Sequence, residues 1–317
     1  MTQTEALWCV APSTAEVRPG DLAGDGILVT TLFSGISRGT ERLVFEGRVP
    51  ESEVHRMRAP FQEGDFPFPV KYGYAAVVRQ VQGPSIGQIA FALAPHQTAH
   101  CLPDTALVPV PNSVPPERAI LAANMETALN VLWDSGASAG DRIAVIGAGV
   151  VGSLVAYLCG RLPGANVTLV DINYSRASLA QQLGCAFASP AETPTDCDVV
   201  IHASASAAGL ATALAAAGQE ARVVEASWYG SGSIPIPLGG AFHSKRLQLI
   251  GSQVGQLPPD RAPRWNYRRR IETALALLAD DRLDALISGE TLFRHIAAEY
   301  GAILASPDTL CHRIKYD

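Results

Sequence analysis

Paired cysteines are missing from this chain. Its six cysteines, Cys9, Cys101, Cys159, Cys185, Cys197 and Cys311, include no C-x-x-C pair, so they read as reduced, mostly buried thiols of a cytoplasmic protein. Charge is scarce as well: 17% of residues are Asp, Glu, Lys or Arg, and the net charge is −6. That balance argues against a nucleic-acid partner, which would need a basic face. A composition that is 48% hydrophobic argues equally against a disordered chain. The Met-Thr-Gln-Thr-Glu start shows no basic stretch followed by an apolar one, so no signal peptide is expected. No internal repeat is visible. One uncharged run, residues 143–160, has 18 residues, about the minimum for a membrane helix. Four glycines interrupt it, however, and it divides into a strand, a turn and a helix, so no membrane span is expected.

What is present centres on that run. Ile143 to Ile146 read as a short buried strand, followed by Gly147, Gly149 and Gly152 as G-x-G-x-x-G. Val150 and Val151 open an apolar helix that should run to about Leu162 and stop at Pro163-Gly164. A second apolar run, Val167 to Val170, ends in Asp171, 24 positions after Gly147. Strand, glycines, helix, strand and acid in this order form a dinucleotide fingerprint. Gly147 allows the tight turn, Gly149 lets a pyrophosphate approach the backbone, and Gly152 lets the helix pack on the strand. The helix N-terminus presents unpaired N–H groups to the phosphates. Asp171 is placed to accept hydrogen bonds from the adenosine ribose, with Ile172, Asn173 and Arg176 following it.

The rest of the chain arranges itself around this unit, and 317 residues suit about two domains. Residues 1–115 are rich in β-formers, with strands expected at Ala6–Val10, Ile27–Phe33, Pro69–Val78 and Ile89–Leu93. Pro19-Gly20-Asp21 and Gly24-Asp25-Gly26 are expected to be turns. A short helix should begin near Thr40, with Thr40 or a neighbour as its cap, and residues 49–68 read as a polar surface segment. Pro115-Pro116 marks the best domain boundary. A helix over Glu117–Ser135 then leads into residues 116–255, where strands and helices alternate as in a parallel sheet covered on both faces. There Asn173 should cap a helix over Tyr174–Leu183, and Ala203 and Ser204 follow a strand at Val199–His202. A helix over Ala207–Ala217 is closed by Gly218, and further strands lie at Arg222–Glu225 and Leu247–Ile250. Residues 256–317 change pattern again, with a helix at Ile271–Leu278 and strands at Ala285–Glu290 and Leu310–Lys315.

Over nearly its full length the chain resembles the medium-chain dehydrogenase/reductase superfamily. Val170-Asp171-Ile172-Asn173 is similar to the NAD-binding corner of its zinc alcohol dehydrogenases. The segment Ser34-Gly35-Ile36-Ser37-Arg38-Gly39-Thr40-Glu41, with Gly73-Tyr74, resembles the bacteriochlorophyllide dehydrogenase branch. The resemblance implies an α/β protein: a GroES-like β-rich catalytic domain, a doubly wound Rossmann domain, and an active-site cleft between them. It also shows departures. Where zinc members carry Cys, His and Cys, this chain matches Ser37, Tyr74 and Ala123, and the cysteine-rich zinc lobe is missing. Zinc needs three or four Cys, His or carboxylate ligands, so no metal is expected.

The resemblance therefore implies an NAD-dependent oxidoreductase that works without zinc, interconverting a secondary alcohol and a carbonyl of a small-molecule substrate. A homodimer is the expected assembly. Side-chain donors must stabilise the carbonyl oxygen, and Tyr74 is the leading candidate because a phenol can donate to a carbonyl and exchange a proton with it. Ser37, Thr40, His96 and Glu126 are the other catalytic candidates. Arg38 matches an arginine that pairs with the cofactor pyrophosphate. The cofactor-binding set is Gly147, Gly149, Val150, Val151, Gly152, Asp171, Ile172, Asn173, Arg176, Arg38, Ala203 and Ser204. Two other readings stay open: reduction of an activated C=C bond, and a non-catalytic NAD(H)-binding protein.

Overall fold

A computed structural model describes residues 3–22, 26–83 and 85–317. Gly24 and Asp25, from the turn expected at 24–26, lie outside them. The chain forms two compact units, Met1–Ala123 with Ile271–Asp317, and Asn124–Arg270. The expected boundaries stood at 115/116 and 255/256. The short helix Pro116–Ala119 packs on strands of the first unit, so the chain leaves that unit a few residues later. At the other end, Arg270 spends its guanidinium on Glu126, Asn130 and the carbonyl of Val254, all within the second unit.

The second unit carries a six-stranded sheet, every neighbouring pair parallel. Across the sheet lie Ala186–Ala188, Asn166–Val170, Arg142–Ile146, Cys197–His202, Ala217–Glu225 and Gln248–Gly251, the doubly wound order 3-2-1-4-5-6. Its strands are short apolar runs because both faces are covered. Val145, Val200 and Val223 are fully buried, and the helix Ala207–Ala216 packs small side chains on the sheet. The order reverses between Arg142–Ile146 and Cys197–His202, and at such a reversal an α/β sheet opens a crevice at its carboxyl edge.

Several elements differ from expectation for identifiable reasons. The helix after the glycines ends at Cys159, and a tight turn over Gly160–Leu162 precedes Pro163. The next helix begins at Arg176, not Tyr174; Asn173 does not cap it but accepts the Ser175 N–H in a local turn. Gly218 is not a helix terminator, since the strand Ala217–Glu225 has already begun there. The helix expected over Glu117–Ser135 is broken at Ile120-Leu121 into Pro116–Ala119 and Ala122–Ser135.

The first unit is mostly antiparallel. Its larger sheet runs Ile287–Leu292, Cys311–Lys315, Ile27–Ser37, Ala76–Gln80, Ile89–Ala92 and Val108–Pro109, with Ala99–Leu102 also on Ile27–Ser37. A smaller sheet holds Thr14–Asp21, Gln3–Ala11, Val70–Lys71 and Glu63–Gly64. Pro19-Gly20-Asp21 is therefore strand rather than turn, paired with Glu5, Thr4 and Gln3. An edge strand tolerates proline because one side of it needs no ladder donor. The strand expected over Pro69–Val78 is interrupted between Lys71 and Ala76, and the helix Ile296–Ala305 is an addition to the elements expected. Tyr300 and Ile303 of that helix enter a core with Leu7, Ile36, Val44 and Phe45.

The glycine turn of the second unit is set by close approach. Gly147 has φ +108°, and a Cβ there would lie 2.7 Å from the Ser204 nitrogen. A Cβ on Gly152 would lie 2.0 Å from the Gly147 carbonyl oxygen. Alanine is the better helix former by about 1 kcal/mol, but an overlap with backbone outweighs that gain. Gly152→Ala is therefore expected to destabilise the protein by a net ~1–3 kcal/mol, read as a lower midpoint of urea unfolding. A midpoint at or above that of the wild type would show that the helix can shift at no cost.

Candidate functional site

In the second unit the polar groups gather at the carboxyl edge of the sheet. Gly147 donates its N–H to the Val170 carbonyl at 2.8 Å, tying the glycine turn to the adjacent strand. Gly149 precedes the helix Val150–Cys159 as its cap residue, and Val150 and Val151 form its first turn. Asp171 stands just past the strand Asn166–Val170. Its Oδ2 accepts the Ala148 N–H at 2.7 Å and its Oδ1 accepts the Asn173 N–H at 2.8 Å. The carboxylate is thus held against the glycine turn by backbone donors. Ile172 beside it is 83% exposed, so nothing in its own unit covers that corner. Arg176 is buried at the start of its helix. Ala203 and Ser204 pass against Gly147.

Beyond the strand reversal lies a cluster that the sequence reading identified only through Ser204. The His202 side chain is fully buried at the end of its strand. Its Nδ1 lies 2.8 Å from Glu225 Oε2, and its Nε2 lies 2.7 Å from Ser204 Oγ. Glu225 also accepts the Ser227 N–H at 2.8 Å and the Tyr229 hydroxyl at 3.0 Å. Burial pulls the Glu225 carboxyl up, but His202 and the Ser227 donors pull it further down, so it lies below its ordinary value. Burial first, and then the Glu225 charge, push the Tyr229 phenol well up.

In the first unit the strand Ile27–Ser37 delivers Ser34 and Ser37, the helix Arg38–Phe45 delivers Thr40 and Glu41, and the break after Lys71 delivers Tyr74. Glu41 is completely buried. It accepts the Ser37 N–H at 2.7 Å and the Tyr300 hydroxyl at 2.7 Å, and His96 Nε2 lies 2.9 Å away. His96 Nδ1 reaches Ser34 Oγ at 2.8 Å, which in turn meets the Tyr316 hydroxyl at 2.9 Å. Gly73, at φ +124°, leaves room for the His96 ring, which a Cβ would meet at 3.0 Å. Ser37 and Thr40 are neighbours of the Tyr74 phenol and act to lower it. Burial, with the Glu41 charge adding to it, outweighs those two neighbours and pushes the phenol up to about 12. Tyr74 is consequently a protonated donor at neutral pH. The Cys311 thiol, pushed up to about 12 chiefly by burial, is no thiolate.

The structure thus makes Ser37 and Thr40 neighbours of the Tyr74 phenol, and His96 has both ring nitrogens occupied, by Ser34 and Glu41. Glu126 belongs to the second unit, buried against Arg270 at 3.0 Å; burial raises its carboxyl despite that partner. Arg38 sends its Nε to the Leu304 carbonyl at 3.0 Å. Glu41, Tyr300, Ser34 and Tyr316 were not singled out as catalytic candidates. Ser34 and Glu41 stand at the two ends of the segment that carries the family resemblance, but the hydroxyls they meet, those of Tyr316 and Tyr300, come from 282 and 259 positions away. Among the described residues no three His, Cys, Asp or Glu side chains are grouped to hold a metal ion. Ser37, Tyr74 and Ala123 do not make a zinc donor set.

No protein-family model matches the chain, and no curated protein matches it in sequence. Solved structures do match in three dimensions. L-idonate 5-dehydrogenase from Escherichia coli K-12 is similar over 99% of this chain and 98% of its own, at TM-score 0.80 and 16% identity. A short chain alcohol dehydrogenase from E. coli CFT073, complexed with NADH, covers 99% and 100% at TM-score 0.78 and 14% identity. The chain has the medium-chain dehydrogenase/reductase fold. S. aureus TarJ in complex with NADPH is similar over 100% of both chains, at TM-score 0.75 and 14% identity. Identities this low carry the fold and leave cofactor and chemistry to the residues described above. Among the described residues no helix is long and apolar enough to cross a membrane.

The depressed Glu225 carboxyl has a consequence for acid stability. Its favourable partners contribute stability that is fully present above its ordinary value of 4.5, and that contribution is lost as pH falls through the lower folded value. Wild type should therefore exceed Glu225→Gln in stability near neutral pH, and the gap should narrow as pH drops below 4.5. Urea midpoints measured at neutral and acidic pH check this. A gap that does not change with pH would mean that the carboxylate charge is not what His202 and Ser227 hold.

Proposed function

We propose that this chain is an NAD(H)-dependent oxidoreductase that interconverts a secondary alcohol and a carbonyl, using hydroxyl donors where zinc relatives use a metal. The observation that carries the reading is the Gly147–Gly152 turn with the Asp171 carboxylate fixed beside it at 2.7 Å from the Ala148 nitrogen. That turn has the form that receives a pyrophosphate, and the acid has the position that meets a ribose. A nicotinamide dinucleotide held at that turn and acid would supply or accept the hydride. Tyr74 donates its phenolic proton to the carbonyl oxygen as charge develops there. Ser37 and Thr40, neighbours of the phenol that lower it, supply hydroxyls to support the oxygen as it becomes anionic. Glu41, held by Tyr300 and His96, fixes the Ser37 backbone. In the alcohol-to-carbonyl direction the same groups run in reverse.

Asp171 argues for NAD over NADP, because a 2′-phosphate would meet a carboxylate at the ribose. Arg176, the nearby cation by which such a phosphate could be received, is buried in its helix. Fluorescence titration should give a tighter dissociation constant for NADH than for NADPH. Tighter binding of NADPH would sink the assignment.

The role of Tyr74 is tested by Tyr74→Phe. The ring and its edge-on contact with Tyr72, at 6.0 Å between centroids, remain. One donor is lost, which typically lowers turnover by ~10²–10³-fold, while NADH affinity should be retained. Turnover should be followed with a panel of ketones and of enones, which also separates carbonyl reduction from C=C reduction. A Tyr74→Phe enzyme that turns over its best substrate at the wild-type rate would leave Tyr74 with packing alone.

A further inference from the structure

The His202 cluster contains more than a cofactor platform requires. Glu225 is an acceptor for His202 Nδ1, for Tyr229 and for the Ser227 N–H. A carboxylate in that position makes Nδ1 the protonated ring nitrogen and leaves Nε2 of the neutral ring as an acceptor. Ser204 Oγ, 2.7 Å from Nε2, must then point its proton at the imidazole. Ser206 Oγ already accepts the Gly209 N–H at 3.0 Å, so its own proton is free to turn to Ser204 Oγ at 2.9 Å. The chain of donors runs in one direction, from Ser206 through Ser204 and His202 to Glu225. Serine, histidine and carboxylate stand in the order and contacts of a nucleophilic triad, which is recognised by geometry rather than by sequence position.

The surroundings fit that chemistry. Ser204 sits on a sharp turn between the strand Cys197–His202 and the helix Ala207–Ala216, and Ala205 in that turn has φ +50°. Residues 203–209 are all Ala, Ser or Gly, so an electrophile meets no bulky side chain from this segment. Gly209 is required there: a Cβ would lie 2.1 Å from Ser204 Oγ and 2.8 Å from His202 Nε2. Ser204 is partly exposed and Ala205 and Ser206 are exposed. The N–H groups of Ala207 and Ala208, in the first turn of the helix, have no intrahelical acceptor and are donors of the kind an oxyanion needs.

We propose that Ser204 is an activated nucleophile and that this unit hydrolyses simple carboxylic esters, independently of any dinucleotide. Ser204 Oγ forms a bond to the ester carbonyl carbon while its proton passes to His202 Nε2. The ester C–O bond then breaks, and the alcohol leaves with the proton from His202. Water attacks the acyl-Ser204 ester with His202 again taking the proton, which releases the carboxylic acid and restores the serine. Glu225 stabilises the imidazolium at both stages.

The test uses the full-length wild-type protein without dinucleotide, so its failure is separate from failure of the NADH titration. A fluorophosphonate is added and the adduct is mapped by mass spectrometry. Its phosphorus bonds to the serine oxygen, and fluoride leaves. The expected result is an adduct on Ser204 and hydrolysis of p-nitrophenyl acetate that stops when Ser204 is labelled. Glu225→Gln, checked for folding by circular dichroism, should slow labelling by ~10²-fold or more. No adduct, an adduct on another residue, or labelling of the Glu225→Gln protein at the wild-type rate would each overturn the proposal. The mapping needs no variant, so it decides the matter even if Glu225→Gln does not fold.

Discussion

A missing carbon atom organises the second unit. The first turn of the helix Val150–Cys159 lies so close to the glycine loop that a side chain at Gly152 would overlap the carbonyl oxygen of Gly147. That approach puts the helix N-terminus directly at the carboxyl edge of the sheet. It also brings the turn within hydrogen-bond reach of Asp171 and within contact of Ala203 and Ser204. Everything assembled at that edge, from the acid on one side to His202 and Glu225 on the other, depends on strands kept in parallel register. Ile146 pairs with Val170 on one side and with His202 on the other, and His202 pairs with Glu225. Four residues, Val170, Ile146, His202 and Glu225, are thereby held at one level across four adjacent strands.

The first unit is held by a different device, a buried carboxylate. An unpaired charge at the Glu41 position would be strongly unfavourable. It is made tolerable by a backbone N–H, a phenol and an imidazole converging on two oxygens. Removing one partner from such a group typically costs about 3–5 kcal/mol, so the network is sensitive to every member. Its physical effect is to join the strand end at Ser37, the loop at His96 and the helix Ile296–Ala305 at a single point. Ser37, a neighbour of the Tyr74 phenol, is tied to that point through its backbone N–H.

The two units therefore show two ways of placing polar chemistry in a dry interior. In one, strand register aligns side chains from neighbouring strands and the backbone supplies donors. In the other, distant segments meet at a charge that none of them could bury alone. Both also hold a histidine whose two ring nitrogens are engaged, His96 with Glu41 and Ser34, His202 with Glu225 and Ser204. The difference lies in what those contacts reach. His96 connects to Ser34 and Tyr316, which are buried, whereas His202 connects through Ser204 to the exposed Ser206.

The amino-acid sequence by itself determined the doubly wound unit, because its signals are local. Short apolar runs, glycines at fixed spacing and an acid at the end of the next strand each act within a few residues. The same locality made Gly147, Gly152 and Asp171 legible before any coordinates. Reading failed where tertiary contacts override local chemistry. Pro19-Gly20-Asp21 looks like a turn until an edge strand accepts it. Glu126 reads as a catalytic candidate, with nothing nearby in the sequence to announce that Arg270, 144 positions away, pairs with it. The convergence on Glu41 joins residues 37, 96 and 300, and the contact of Ser204 with His202 and Glu225 depends on one strand lying beside another. No local pattern encodes which distant donor will meet a buried carboxylate. That is decided only when burial removes water and each polar group must find its partner within the fold.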